Sequence, residues 1–272
     1  MNMRELLGSN LPDFEIVDIH AHMNRPMPFI CPGNPDIDGM VASMDRLGIS
    51  RIAIAPHMAI NCDAPLGNTM VLRAAEKYPK RVIGLSTVNF NYFEQSMKSV
   101  EGCFATPYFR GIKLHPDFYR HSVQDEEKMH AVLDFARAHS AFLISHTDAR
   151  LYPGHLTLYS DPAFFEPFIR AYPDVNFILA HCGLSGEGYA TSLRLATVYK
   201  NVFLDTTGFR FSNSWTVEGI ARNAGPGKVV FGSDMPFNDA GSAAGRIIMG
   251  ELSLENKIKM LGENARRLMK EI

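Results

Sequence analysis

The sequence predicts an α/β protein built as a single (β/α)8 TIM barrel with its active site at the carboxyl ends of the strands. Its 272 residues suit this fold, since one such barrel takes roughly 250 residues. Short β-branched or aromatic runs alternate with longer amphipathic stretches, which is typical of a parallel sheet covered by helices. No linker-like segment interrupts this alternation, so we expect one domain over residues 1–272.

Eight runs rich in β-branched and aromatic residues are the predicted strands. They cover residues 15–20, 51–55, 81–88, 110–115, 142–146, 175–181, 202–205 and 228–234. An open doubly wound sheet has the same local alternation, but no G-x-G-x-x-G motif follows the first strand. Eight successive units therefore favour a closed barrel over an open sheet.

Helical patterns with recognisable ends separate these runs. The spacing of apolar residues predicts helices over 36–47, ending at Gly48, over 125–139, starting behind Ser122, and over about 253–270. These three stretches support one helix after each strand, as the barrel requires.

The composition is that of an ordinary globular protein. Hydrophobic residues make up 46% and charged residues 21% of the chain. The formal net charge is -2 and the charges are dispersed, so we expect no nucleic-acid partner. No apolar run reaches about 18 residues, so we expect no membrane span and a soluble, cytoplasmic protein.

Polar residues stand at the carboxyl ends of several predicted strands. Alternation along the first strand aims His20 and His22 to one side, and the fifth, sixth and eighth strands end in His146, His181 and Asp234. Imidazole and carboxylate are the usual ligands of zinc and similar ions. The pattern predicts a divalent-metal site, with a metal-free cluster of acid–base histidines as the alternative.

Other site candidates come from the same face of the barrel. Lys113 and His115 end the fourth strand on one side. If Lys113 is buried among ligands, it must shift its pKa, pair with an anion or be chemically modified; otherwise it reaches to solvent. We expect substrate contacts from His115 and, by position in loops, from Arg25, His57 and Arg210.

The order of short motifs carries a family resemblance. The motifs are Asp-Ile-His-Ala-His at 18–22, Gly-Ile-Lys-Leu-His-Pro at 111–116, Ile-Ser-His-Thr at 144–147, Ile-Leu-Ala-His-Cys-Gly at 178–183, Phe-Leu-Asp-Thr-Thr-Gly at 203–208, Phe-Gly-Ser-Asp-Met-Pro-Phe at 231–237 and Gly-Glu-Asn-Ala-Arg-Arg-Leu at 262–268. Together they resemble the amidohydrolase superfamily, and within it the amidohydrolase-related branch that includes aminocarboxymuconate semialdehyde decarboxylase.

The resemblance implies roles for the strand-end residues. His20, His22, His146 and Asp234 would bind the metal, and His181 would act in catalysis or hold a second ion. In binuclear members a lysine in the context of Lys113 is carboxylated and bridges two metals, so one or two ions are expected. Zinc is the expected ion, with manganese or iron as alternatives.

Metal-assisted hydrolysis of an ester, lactone or amide bond in a small molecule is the expected reaction. The ion would activate a water molecule, Asp234 would take its proton and His181 would stabilise developing charge. Asp18, Ser145 and Thr206 are candidates to support that water by hydrogen bonds.

Two further functions are kept as alternatives. Non-oxidative decarboxylation of an aromatic or unsaturated acid is the second enzymatic reading, although the chain is shorter than typical decarboxylases of the branch. A metal-binding protein without turnover is the third, and the open ligand shell argues against it. Association into a homo-oligomer is left open.

Overall fold

The computed structural model describes residues 2–8, 12–23, 36–150, 158–184, 186–208 and 214–270. Within them, eight strands form one parallel sheet in the order of the sequence. They are β1 Val17–Ala21, β2 Arg51–Ile54, β3 Val82–Thr87, β4 Phe109–Leu114, β5 Phe142–His146, β6 Phe177–Ala180, β7 Val202–Asp205 and β8 Val229–Val230. The eight strands predicted from the sequence are confirmed.

Helices precede, separate and follow the strands. They are α1 Met3–Leu7, α2 Ile37–Leu47, α3 His57–Asn61, α4 Ala64–Lys77, α5 Phe93–Phe104, α6 Pro116–Tyr119, α7 Glu126–Ala138, α8 Glu166–Ala171, α9 Gly186–Val198, α10 Ser214–Ala224, α11 Ala240–Ile248, α12 Leu254–Ile258 and α13 Asn264–Leu268. A π-helical turn, Lys259–Glu263, joins α12 to α13, so the predicted last helix is one nearly continuous helical stretch.

Helix ends follow the predicted signals. Asp125 caps α7 by accepting a hydrogen bond from the backbone N–H of Lys128 (3.3 Å). Gly48 ends α2 with φ at 77°, a left-handed conformation that glycine adopts without steric cost. The predicted boundaries therefore lie within a residue or two of the observed ones for both helices.

The seam between β1 and β8 closes the barrel. The backbone N–H of Ile19 donates to the carbonyl of Phe231 (2.9 Å), and the N–H of Asp234 donates to the carbonyl of His20 (2.8 Å). Regular β8 is shorter than predicted, and the chain after it follows β1 through these single hydrogen bonds. Hydrogen bonds on both sides of every strand exclude the open doubly wound sheet.

The barrel interior is filled by apolar side chains from most of the strands, with β4 as an exception. The interior cluster includes Val17, Ile19, Ile83, Leu85, Ile144, Ile178, Phe203 and Val230. On β4, Gly111 stands where an added Cβ would come within 2.6 Å of the Phe142 ring. The next residue on the same side of β4 is Lys113, which is fully buried. This places one long polar side chain directly above the apolar interior.

The described helices do not include one that is both long and apolar enough to cross a bilayer.

Candidate metal centre and active-site cavity

His20 and His22 each use one ring nitrogen to hold the ring in place. Nδ1 of His22 lies 2.7 Å from the carbonyl oxygen of Ala55, and Nδ1 of His20 lies 2.6 Å from Oδ2 of Asp205. Because both partners are acceptors, both Nδ1 atoms carry the hydrogen. Burial lowers the pKa of His22 to about 3 and that of His20 well below its usual value. Both neutral rings therefore present an Nε2 lone pair.

These lone pairs converge with a carboxylate oxygen. The two Nε2 atoms are 3.2 Å apart, and Oδ1 of Asp234 is 3.1 Å from Nε2 of His22 and 3.7 Å from Nε2 of His20. Three acceptors at this spacing repel one another unless a cation lies among them. Ligands bound at 2.0 to 2.2 Å lie about 3 to 3.5 Å apart. The donor set therefore fits a divalent metal ion.

Lys113 supplies a positive charge at the same place. Its Nζ lies 2.7 Å from Nε2 of His20, and its side chain is fully buried. Burial lowers the pKa of Lys113, while the nearby carboxylates of Asp234 and Asp205 raise it. The alternative in which Lys113 reaches to solvent is wrong, because the chain keeps this ammonium group inside the barrel.

His181 stands beside this group in a strained backbone conformation. Its φ is 64°, and that of Asp234 is 62°, both in the left-handed region that costs free energy for residues other than glycine. A ring nitrogen of His181 lies within 4.8 Å of ligand atoms of His20 and Asp234. Nδ1 of His181 is 2.8 Å from Oγ1 of Thr207. Strain at two predicted site residues is typical of a functional site.

His146 lies in a second cluster. Its ligand atom groups within 4.8 Å of those of His115 and Asp117, and its ring stacks on His115 at 4.1 Å. Its ring centroid is 4.7 Å from that of His181, so the two clusters adjoin. Among the described residues, Nδ1 of His146 and Nδ1 of His115 are buried without a hydrogen-bond partner. Asp117 was not predicted, since it stands in α6, past the strand end.

A cavity of about 690 Å³ opens above these clusters at the carboxyl ends of the strands. Its walls combine imidazole and aromatic rings with charged side chains; among them are His57, His115, Phe118, Phe237, Arg120 and Arg150. Arg150 donates to both carboxylate oxygens of Asp148 through Nε and Nη2. The size and lining are those of a small-molecule site.

His57 lines this cavity beside the metal centre. Its ring centroid is 4.9 Å from that of His22 and 4.6 Å from that of Phe237. The side chain is 3% exposed, and neither ring nitrogen has a hydrogen-bond partner among the described residues. Burial lowers the pKa of His57 to about 2, so the ring is neutral. It offers one donor and one acceptor to a ligand.

Of the other three residues predicted to contact substrate, one lies in the described part of the chain. His115 lines the cavity and stacks on Phe118 at 4.0 Å. Arg25 and Arg210 lie outside the described residues. Among the described residues, Arg120 and Arg150 line the cavity.

Two residues that hydrogen-bond the side chains of the site, Asp205 and Thr207, were not predicted as site residues from the sequence. Asp205 accepts from Nδ1 of His20, and Thr207 contacts both Asp205 and His181. Two signals were available: Asp205 ends the seventh strand, as ligands end other strands, and both residues stand in the Phe-Leu-Asp-Thr-Thr-Gly motif at 203–208.

The three residues predicted to support a water molecule, Asp18, Ser145 and Thr206, form hydrogen bonds within the protein. The hydroxyl of Ser145 donates to the carbonyl of His146 (3.0 Å), and that of Thr206 donates to the carbonyl of Gly232 (3.1 Å). Asp18 accepts from the Ser233 hydroxyl (2.5 Å) and from the backbone N–H of His20 (3.1 Å). Asp18 thus bonds the chain segments that carry His20, His22 and Asp234.

Comparison with known proteins gives a family match and a set of similar structures. A family model described as amidohydrolase matches residues 17–270. A 2,6-dihydroxybenzoate decarboxylase from Rhizobium is 15% identical with a TM-score of 0.73, covering 95% of this chain and 99% of that one. A 5-carboxyvanillate decarboxylase from Novosphingobium aromaticivorans, complexed with manganese and 4-hydroxy-3-methoxy-5-nitrobenzoic acid, is 14% identical with a TM-score of 0.75, covering 94% and 96%. Comparison with curated proteins gives no significant match.

A third similar structure is an IDCase from Metarhizium anisopliae, at 17% identity and a TM-score of 0.67, covering 94% of this chain and 97% of that one. These comparisons correct the expectation of ester, lactone or amide hydrolysis, because structures of decarboxylases match this chain over nearly their whole length. The length of the chain does not count against decarboxylation, since the match covers 99% of the Rhizobium chain. The decarboxylation alternative fits these findings better.

Proposed function

The chain belongs to the amidohydrolase family, and we propose that it is a metal-dependent, non-oxidative decarboxylase of a small aromatic or unsaturated carboxylic acid. The observation that carries the proposal is the convergence of two Nε2 lone pairs, from His20 and His22, with a carboxylate oxygen of Asp234 at an aromatic-walled cavity. The decarboxylases of similar fold support the choice of reaction.

His20, His22 and Asp234 would hold the ion, with His146 as the predicted fourth ligand. When bound, the ion supplies a Lewis acid that binds and orients the substrate anion. The sequence favours zinc, whereas a decarboxylase of similar fold contains manganese. We therefore propose a divalent metal ion, and the test compares protein loaded with zinc and protein loaded with manganese.

The cavity rings would orient a planar acid. Phe237 packs edge-on against His57 at 4.6 Å, and Phe118 stacks on His115 at 4.0 Å. Such rings bind a flat unsaturated ligand through offset or edge contacts. They would hold the bond to be broken close to His181, which also lines the cavity.

The proposed reaction replaces a carboxylate by a proton. The bond between the substrate carbon and its carboxylate carbon breaks, its electron pair stays on the substrate carbon, and carbon dioxide leaves. A proton must reach that carbon, and His181 is the proposed carrier because its ring adjoins the metal-ligand group. His57, neutral and without a partner among the described residues, would hydrogen-bond a hydroxyl or similar group of the substrate.

The test is carbon dioxide release by protein loaded with one metal at a time. Protein reconstituted with zinc or with manganese is incubated with 2,6-dihydroxybenzoate, 5-carboxyvanillate and a panel of unsaturated acids, and with ester, lactone and amide substrates in parallel. We expect carbon dioxide from at least one acid, and loss of that activity in Asp234→Asn. Turnover of an ester, lactone or amide with no carbon dioxide from any acid contradicts the proposal.

A further inference from the structure

Thr207 connects the carboxylate of Asp205 to the ring of His181. Its Oγ1 lies 2.9 Å from Oδ1 of Asp205 and 2.8 Å from Nδ1 of His181, and the side chain is fully buried. A threonine hydroxyl has one proton to donate and can accept from another donor. Its two close neighbours therefore have to play opposite roles.

The surroundings of Asp205 decide which neighbour receives the proton. This carboxylate also accepts from Nδ1 of His20 (2.6 Å), from the backbone N–H of His181 (2.9 Å) and from the backbone N–H of Thr207 (3.3 Å). Because each of these three groups donates to it, the Asp205 carboxylate acts as an acceptor toward its neighbours. The Thr207 hydroxyl therefore donates to Asp205.

The direction of this bond fixes the hydrogen on His181. With its own proton directed to Asp205, Oγ1 of Thr207 can only accept from Nδ1 of His181. Nδ1 must then carry the hydrogen, and in the neutral ring Nε2 is left with a lone pair.

We propose that Thr207 is a positioning residue that fixes the tautomer of His181, so that Nε2 enters the reaction as a proton acceptor. This deepens the proposed function and rests on it for the role of His181. His181 would first take a proton at Nε2 from solvent or a substrate hydroxyl, and would then deliver it to the carbon that loses the carboxylate. The hydroxyl of Thr207 would hold the ring in one orientation through both steps.

The tautomer can be measured without turnover. Protein with 15N-labelled histidine, either metal-free or loaded with diamagnetic zinc, reports through ring-nitrogen chemical shifts which nitrogen of His181 carries the hydrogen. We expect the Nδ1–H form in the parent protein and in Thr207→Ser, which keeps the hydroxyl. Thr207→Val removes the hydroxyl at nearly constant shape, and we expect a mixed or Nε2–H population.

Activity gives the second readout. We expect kcat on an accepted acid to fall about 10- to 100-fold in Thr207→Val, as for other groups that orient a reactive ring, and Thr207→Ser to retain most of it. Metal content should stay at the parent value, because Asp205 and not Thr207 makes the short bond to Nδ1 of His20. Should no acid be decarboxylated, the shifts still decide the tautomer.

Two results would overturn the inference. One is an Nε2–H tautomer in the parent protein, which needs no variant to fold. The other is an unchanged Nδ1–H tautomer in a folded Thr207→Val protein, which would leave the hydroxyl with a purely structural role toward Asp205.

Discussion

The backbone N–H of Asp234 donates a 2.8 Å hydrogen bond to the carbonyl oxygen of His20. This bond lies in the seam that closes the barrel, so it brings together a carboxylate and an imidazole that are far apart in the sequence. The side chains then meet in the same place, with Oδ1 of Asp234 3.7 Å from Nε2 of His20. The contacts that close the sheet thus also hold two residues of the candidate metal centre together.

Removal of a proposed ligand should lower metal affinity. We expect His22→Ala and Asp234→Asn to weaken zinc or manganese binding by at least about 10-fold, since the first removes one of three converging acceptors and the second removes the negative charge of another. Metal content after dialysis, measured by mass spectrometry, checks this. His139→Ala, an exposed residue at the end of α7, is the control and should bind as the parent does. Full occupancy in both variants would contradict the site.

Replacement of Lys113 should show whether the site binds one metal ion or two. Its ammonium group donates to the lone pair of His20 that the ion would need, so the two cations compete. We expect Lys113→Met to bind one equivalent of metal at least as tightly as the parent, which also binds one. Titration by calorimetry measures both stoichiometries. A fall from two equivalents to one would instead support a bridging, carboxylated lysine.

His57→Leu should leave the fold intact or stabilise it while weakening ligand binding. Both ring nitrogens are buried without a partner among the described residues, and each such group costs about 1 to 3 kcal/mol. We therefore expect a melting temperature equal to or above that of the parent. For an acid that the parent decarboxylates, KM should rise. A lower melting temperature with unchanged KM would mean that the ring is a packing residue.

Gly232→Ala should disturb the candidate metal centre by displacing His20. An added Cβ would lie 2.9 Å from Cβ of His20 and 3.0 Å from Cγ2 of Thr207, both fully buried. We expect loss of stability of about 1 to 3 kcal/mol together with weaker metal binding. Gly102→Ala is the matched control, because nothing lies within 4 Å of its Cβ and α5 should gain about 0.5 to 1 kcal/mol. Denaturant unfolding measures both.

The metal-free protein should lose stability in mild acid. Burial lowers the pKa of six histidines. In the unfolded chain these side chains take up protons near pH 6.5, whereas in the folded chain His22, for example, stays neutral down to about pH 3. The six are His20, His22, His57, His115, His146 and His181. Asp18 and Asp234 act in the opposite sense, because burial raises their pKa values, but they are fewer.

The free energy of unfolding should therefore fall as pH drops from 6.5 toward 4. In His57→Leu one proton fewer is involved, and the slope near pH 5 should decrease by about 1.4 kcal/mol per pH unit. Denaturation curves at several pH values, with a chelator present, measure this slope. Stability that rises on acidification would contradict the buried, neutral state of these rings.

The strand-end residues were predictable because their placement follows from local alternation and from closure. Once strands end at His20, His181 and Asp234, a parallel barrel must bring them to one face. The position of His146 was less predictable, since stacking on His115 depends on side-chain rotamers and on the short helix α6.

The threonine predicted to support the site and the threonine that contacts it are adjacent in the sequence. Thr206 was the candidate, but its hydroxyl faces the carbonyl of Gly232, while Thr207 faces His181. Strand alternation no longer applies after Asp205, where β7 ends. The reaction itself was not readable, because hydrolysis and decarboxylation use the same strand-end residues and differ in what the loops admit.

The seam between the first and last strands also has a meaning for biosynthesis. During translation, the first two histidines leave the ribosome long before the eighth strand exists to pair with them. A nascent or prematurely terminated chain would carry nearly every histidine of the centre and still lack the carboxylate and the backbone bonds that gather them. We therefore expect tight binding of the metal ion only in a chain whose final strand has been made and docked.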